Sequence, residues 1–90
     1  MDKSAKVYLP VRVDFTDDGR MLPRYLRWED GTVYAIDRVK DVRPAHAERA
    51  GGFGDRYTVI VNGCERYLFF EHNCDPVNKD VGRWFVERKE

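Results

Sequence analysis

The sequence carries no net charge, because its 16 basic residues are matched by 16 acidic ones. A neutral protein lacks the long-range field that draws basic proteins to nucleic acid or anionic membranes, so any such contact must come from a local patch. The chain also lacks an apolar run near the roughly 18 residues that cross a bilayer, and its start, MDKSAKVYLP, lacks the apolar segment of a secretory signal. We therefore expect a cytoplasmic protein with no membrane partner.

Residues that carry catalysis or bind metals are scarce. The chain has one serine, Ser4, and only two cysteines and two histidines. The spacing of Cys64, His72 and Cys74 fits no compact zinc pattern, and an extended strand would hold the two thiols too far apart for a disulfide or a shared metal. No nucleophile lies beside a base and its orienting group. We predict that the protein is not an enzyme and holds no metal or cofactor.

The order of apolar, polar and turn residues is mainly that of short β-strands. Ninety residues suffice for one core, so we predict a single domain over residues 1–90. Residues 7–15 alternate apolar and polar side chains, and Asp30 and Asn62 each precede a glycine in a typical hairpin turn. The pattern predicts a mainly β protein of about six strands with at most one short helix near residues 44–50. We expect a small closed antiparallel meander or barrel, SH3-like or related.

Two prolines, and one change in the spacing of apolar residues, predict irregular strands. Pro10 has no backbone N–H and predicts a sheet edge in the first strand, and Pro23 predicts an edge or a bulge in the second. The apolar residues Ile36, Val39 and Val42 step by three rather than two. This step predicts a bulge or a sharp bend near Arg38.

The segment AGGFGD, residues 50–55, is rich in glycine. A phosphate-binding loop needs its glycines between a strand and a helix N-terminus, whereas these follow the predicted helix and precede a strand. We interpret the segment as a flexible connection whose glycines allow positive φ. The alternative is a loop that contacts a ligand through its backbone, with Phe53 exposed at its tip.

Arginine and aromatic residues alternate along several strands, and arginine suits planar and stacked contacts. Such strands can form a face on which bases stack while guanidinium groups hold phosphates. In the alternative, the aromatic residues fill the core and the arginines pair with acids on neighbouring strands. Both interpretations stay open. For the first, the predicted contact residues are Arg24, Arg27, Trp28, Phe53, Arg56 and Tyr57.

Three phrases resemble those of a family of short bacterial proteins common in Firmicutes. They are W-x-D-G-x-x-Y-x-I-D-R-V from Trp28, G-G-x-G-x-R-Y from Gly51 and W-F-V-E from Trp84. The likeness covers residues 7–87, and the chain departs from it by an insertion-like HNCDPVN before the last strand. The same order is more loosely similar to a domain of unknown function attached to some bacterial Y-family DNA polymerases, which implies a role with nucleic acid. Neither resemblance implies an activity, a catalytic residue or a cofactor.

We therefore predict a non-enzymatic binding module whose partner is single-stranded nucleic acid. The alternative is a protein-interaction or structural domain, including a homodimer, which the prolines of the first two strands and the many large apolar residues favour. A third interpretation, a small enzyme or ligand carrier, requires a concave pocket with converging polar groups, which a filled barrel would not offer.

Overall fold

The computed structural model describes residues 4–46 and 53–89, and eight β-strands form within them. The strands are β1 (Ser4–Tyr8), β2 (Val11–Phe15), β3 (Met21–Arg27), β4 (Val33–Ala35), β5 (Arg38–His46), β6 (Phe53–Val61), β7 (Cys64–His72) and β8 (Gly82–Lys89). They form a five-stranded sheet in the order β1-β8-β7-β6-β5 and a three-stranded sheet in the order β2-β3-β4, both antiparallel. The described residues include no helix that is long and apolar enough to cross a membrane.

The predicted mainly β class is confirmed, but six strands and a closed barrel are wrong. The described strands number eight and divide between two sheets, because two of the predicted strands each break at a corner. The first breaks at Leu9 and Pro10. Leu9 N–H donates to the Trp84 carbonyl at 3.0 Å, and the Pro10 carbonyl accepts from Arg27 N–H at 3.0 Å, so the chain changes sheets within two residues. Pro10 cannot donate to either ladder, which favours the break at this point.

The third predicted strand breaks in the same way between β4 and β5. Ile36 N–H donates to the Arg24 carbonyl in the three-stranded sheet, at 2.8 Å. The next residue, Asp37, donates to the Ile60 carbonyl in the five-stranded sheet, also at 2.8 Å. The chain therefore returns to the first sheet without leaving either of these two N–H groups unbonded.

Two bulges lie close to the positions that the sequence indicates. In β5 the register against β6 shifts between Val39 and Asp41, just after the predicted site at Arg38. The register between β2 and β3 shifts directly before Val13, whose partner is Pro23. Both shifts fit the predicted irregularities, because a bulge adds one residue to one strand and bends it.

The segment between β5 and β6 differs from its prediction. Pro44 and the two residues after it pair with the first three residues of β6, so they continue a strand rather than begin a helix. The predicted helix near residues 44–50 is therefore wrong for residues 44–46, and its remainder lies outside the described residues. The same pairing makes residues 53–55 part of β6 rather than of a flexible connection.

The hydrophobic core lies between the inner faces of the two sheets. Trp84 is in contact with the rings of Tyr57 and Phe70, at centroid distances of 5.0 and 4.9 Å. Val59 and Leu68 are almost completely buried beside them. The core residues are Leu9, Leu26, Ile36, Tyr57, Val59, Leu68, Phe70 and Trp84.

Gly54 on β6 leaves no space for a side chain. A Cβ atom there would overlap the backbone carbonyl of Phe70 on the neighbouring strand β7. We expect Gly54→Ala to lower the free energy of unfolding by about 3 kcal/mol, at the upper end of the cost of overpacking, because a ladder carbonyl cannot rotate away. Urea denaturation measures the loss.

Gly31→Ala is the matched control for this substitution. It adds the same methyl group at a turn position with open space, so its cost comes only from the positive φ of 89° and should be about 1 kcal/mol. Equal losses of stability in the two variants would contradict the close approach of β7 to Gly54.

Candidate nucleic-acid interface

The face of the five-stranded sheet that points away from the core carries aromatic and basic side chains. We call it the outer face. Directly paired residues of neighbouring strands share a face, so the pairing defines rows of side chains across the sheet. One row crosses all five strands and spans about 19 Å, at about 4.8 Å per strand. We call it the aromatic–arginine row, and it consists of Tyr8, Phe85, Phe69, Arg56 and Arg43.

Phe69 and Phe85 form the centre of this row. Their rings stack with centroids 5.1 Å apart and an interplanar angle of 9°, in a small cluster separate from the core. The Lys6 ammonium lies 4.9 Å from the centroid of the Phe85 ring, and Tyr8 meets the same ring edge-on at 5.8 Å. Both phenylalanines are buried. They therefore support the face, and other side chains form its surface.

Two exposed tyrosines flank the stacked pair, and each has an arginine against its ring. Tyr8 is 36% exposed, and Cζ of Arg83 lies 3.4 Å from its ring centroid. Tyr67 is 52% exposed, and Cζ of Arg56 lies 4.6 Å from its ring centroid. A cation–π contact of this kind is worth about 0.5–1 kcal/mol at an exposed site and orients the guanidinium group.

These two arginines have no ion-pair partner among residues 4–46 and 53–89. In addition, the Nε–H group of Arg56 is buried and donates a hydrogen bond to no described group. The remaining guanidinium N–H groups are donors for an anion at the surface, and a guanidinium group binds phosphate in planar, bidentate geometry. The outer face thus combines rings for stacking with cations for phosphate.

Glu71 is an acid within the outer face. It accepts hydrogen bonds from Lys6 Nζ and from the Tyr8 hydroxyl, the latter at 3.0 Å. The hydrogen bond from Lys6 is the main reason that the pKa of Glu71 lies below its usual value; burial opposes it, and the Tyr8 hydroxyl and the charges of Lys6 and Arg83 add to it. Glu71 therefore neutralises Lys6, fixes Tyr8 and interacts with the charge of Arg83, its partner in register on β8.

Two ion pairs lie at the margin of the outer face at β5. Arg43 binds Asp41 at 2.6 Å, and Lys40 binds Glu65 at 2.8 Å. The structure thus supports both interpretations of the arginines, each in a different place. Arg43 on β5 pairs with an acid, whereas the arginines beside Tyr8 and Tyr67 lie against rings.

The predicted contact residues of β3 and the turn after it do not belong to this face. Arg24 and Arg27 are exposed on the three-stranded sheet, and Arg24 is bound to Asp14 at 2.8 Å. Trp28 is partly buried against the core. These three residues therefore lie apart from the two tyrosine–arginine pairs.

The predicted contacts on β6 divide between the two faces of the strand. Arg56 lies on the outer face, as described above. Tyr57 is only 5% exposed, and its hydroxyl donates to the Met21 carbonyl at 3.2 Å, so its ring belongs to the core and cannot stack on a ligand. Burial also raises the pKa of Tyr57, which keeps the hydroxyl protonated as a donor. Phe53 begins β6, and its side chain lies outside the described part of the structure.

The predicted contact residues did not include Tyr8, Tyr67, Arg83 or Glu71, which belong to the face. A signal for them was present, because side chains alternate between the two sides of a strand. Tyr8 has the opposite parity to Val7, and Arg83 has the opposite parity to Trp84. Residues of that parity face away from the core and could have been grouped on this basis.

Metal-binding side chains are dispersed. Cys64 and Cys74 are free and exposed, and His72 Nε2 lies 2.9 Å from the Asp55 carboxylate. Within the ranges that the structure describes, no group of three or more His, Cys, Asp or Glu side chains could hold a metal ion.

Comparisons with known proteins identify no relative. No family model, curated protein or solved structure matches this chain. Only the geometry and charge of its own residues therefore bear on its function.

The low pKa of Glu71 predicts a pH-dependent contribution to stability. A carboxylate whose pKa falls on folding stabilises the folded state at pH values above its ordinary pKa of 4.5. This contribution is lost as the pH drops through the lower pKa of the folded state. We expect Glu71→Gln to reduce the free energy of unfolding at pH 7 by about 1 kcal/mol, because a neutral amide accepts a weaker hydrogen bond from Lys6 than a carboxylate does. The difference from the unmodified protein should vanish in acid.

Chemical denaturation between pH 7 and pH 3 checks this expectation, with Glu87→Gln as the control. Glu87 is an exposed acid paired in register with Lys6, which instead binds Glu71. A stability difference for Glu71→Gln that does not change with pH would contradict the proposed role of the Lys6 hydrogen bond.

Proposed function

We propose that this protein is a non-enzymatic binding module that holds single-stranded nucleic acid on the outer face of the five-stranded sheet. The observation that carries the proposal is the presence of two exposed tyrosines, Tyr8 and Tyr67, each with an arginine against its ring. Aromatic side chains on a sheet stack the bases of single strands, and arginine planes do the same. The N–H groups of the same arginines contact phosphates.

The separation of the two pairs suits a short single strand. Tyr8 lies on β1 and Tyr67 on β7, with β8 between them and an offset of two residues along the strands. At about 4.8 Å between strands and 3.3 Å per residue, the two Cα atoms lie about 12 Å apart. Sheets of four strands stack two or three bases over a comparable width.

The charge of the face supports a modest affinity that depends on salt. Arg56 and Arg83 are the cations that lie against its exposed rings, and neither has an ion-pair partner among the described residues, whereas Glu71 neutralises Lys6 and Asp41 neutralises Arg43. Two phosphate contacts to a single strand predict a slope of about −1.4 in log K against log salt, or about 25-fold weaker binding for a tenfold rise in salt.

Association of two copies through a sheet edge has less support from the structure. The edge strand β5 carries a bulge after Val39 and contains Pro44, and both features discourage strand pairing between molecules. The exposed large apolar side chains belong to six different strands and one loop: Tyr8, Phe15, Tyr25, Val33, Val42, Tyr67, Val77 and Val81. We therefore favour the nucleic-acid module over a homodimer.

Substitution of one exposed tyrosine tests the proposal. Tyr67→Ala removes the ring against which Arg56 lies, and we expect about tenfold weaker binding of a fluorescein-labelled ten-nucleotide oligo(dT), because base stacking is worth about 1–3 kcal/mol. Fluorescence anisotropy at low and at tenfold higher salt measures the affinity and its slope.

Tyr25→Ala is the matched control, because Tyr25 is 49% exposed on the other sheet, next to the predicted contacts Arg24 and Arg27. We expect little change in this variant. The proposal is overturned if the unmodified protein does not bind at low salt, or if Tyr25→Ala weakens binding as much as Tyr67→Ala or more.

A further inference from the structure

The two sheets leave a cleft of about 730 Å³ at one end of the core. Volumes of about 300–1,000 Å³ are typical of small-molecule sites. We call this space the intersheet cleft. Its rim includes Asn62 of the turn between β6 and β7, and its apolar lining comes from both sheets and the turn after β3: Leu26, Trp28, Tyr34, Val59, Leu68 and Val86.

Arg66 lies at the mouth of this cleft on the inner side of β7. It shares that side with Leu68, and its cross-strand partner is Val59, whose exposure is 0%. An inner position beside a fully buried valine ordinarily holds an apolar residue. Arg66 is nevertheless exposed and lines the cleft, so the opening of the cleft is what gives this charge access to solvent.

Two acids also border the mouth of the cleft. Glu65 binds Lys40 at 2.8 Å. Glu87 borders the rim from the outer side of β8, where it is paired in register with Lys6. Arg66 has no ion-pair partner within the described ranges. The cleft therefore has an apolar interior, and at its entrance Arg66 lies with one acid, Glu87, that also has no ion-pair partner among the residues that the structure describes.

We propose that the intersheet cleft binds a small amphipathic carboxylate, a single apolar chain with one anionic head. The chain would lie between Trp28 and Val86, and Arg66 would hold the carboxylate in a bidentate ion pair. A polyanion does not suit this lining, because its apolar walls offer no donors for further charges. Tyr67 of the outer face also borders the cleft, but the carboxylate would bind Arg66 rather than the arginines of the outer face, so this proposal does not depend on the function proposed above.

Two cysteines provide an internal test. Cys64 lines the cleft, Cys74 lies in the loop between β7 and β8, and both thiols are free and exposed. We expect decanoate to slow the alkylation of Cys64 by iodoacetamide several-fold and to leave Cys74 unchanged. Mass spectrometry follows each thiol in the single-thiol variants Cys74→Ala and Cys64→Ala.

Changes to the ligand test the apolar lining and Arg66 separately. Octanoate is two methylenes shorter than decanoate, so its affinity should be about 15-fold weaker. The concentration of each ligand that protects half of Cys64 measures this affinity. Arg66→Gln should weaken decanoate binding about tenfold and leave decanol binding unchanged, because only the carboxylate needs the guanidinium group. Arg66→Lys should restore part of the affinity.

Circular dichroism establishes that each variant is folded, and Arg12→Gln controls for the loss of an exposed arginine elsewhere. The proposal is overturned if decanol protects Cys64 as strongly as decanoate, if Arg66→Gln binds decanoate normally, or if Cys74 is protected equally. Failure of oligo(dT) to bind would overturn the proposed function and leave these results unaffected.

Discussion

Two corners hold the sheets against each other, and the positions of the core, the outer face and the cleft depend on them. At each corner, adjacent residues hydrogen bond to different sheets: Leu9 and Pro10 at one, Ile36 and Asp37 at the other. Because buried backbone groups must be bonded, a chain can change sheets here only where both ladders offer a partner. The sheets therefore meet along the core, and a cleft remains between them at one end.

Strand β7 shows how one segment serves several purposes. Its alternation places Leu68 and Phe70 in the core and Tyr67 and Phe69 on the outer face. Arg66, of the same parity as the core residues, reaches the mouth of the cleft. The two proposed sites thus use different arginines, Arg66 at the cleft and the two arginines against tyrosine rings on the outer face, although Tyr67 borders both sites.

The net charge is zero, but the ion pairs are distributed unevenly over the surface. Arg43 is matched by Asp41, whereas Arg56, Arg83 and Arg66 have no ion-pair partner in the described part of the chain. Net charge governs the long-range field of a protein, but a binding site depends on local charges that remain unmatched. A balanced composition therefore excludes strong steering of a polyanion and leaves local anion sites open.

Alternation of side chains and the φ requirements of turns are local, and the sequence alone was enough to predict the mainly β class, the turn at Asn62 and the irregularities near Pro10 and Arg38, but not the number of strands. The sequence alone did not determine which of Tyr57 and Tyr67 is exposed. Both are strand tyrosines beside an arginine, yet one is buried and the other exposed. Alternation tells which residues share a side of a strand, but the packing of the second sheet decides which side is covered, and that packing joins residues far apart in the chain.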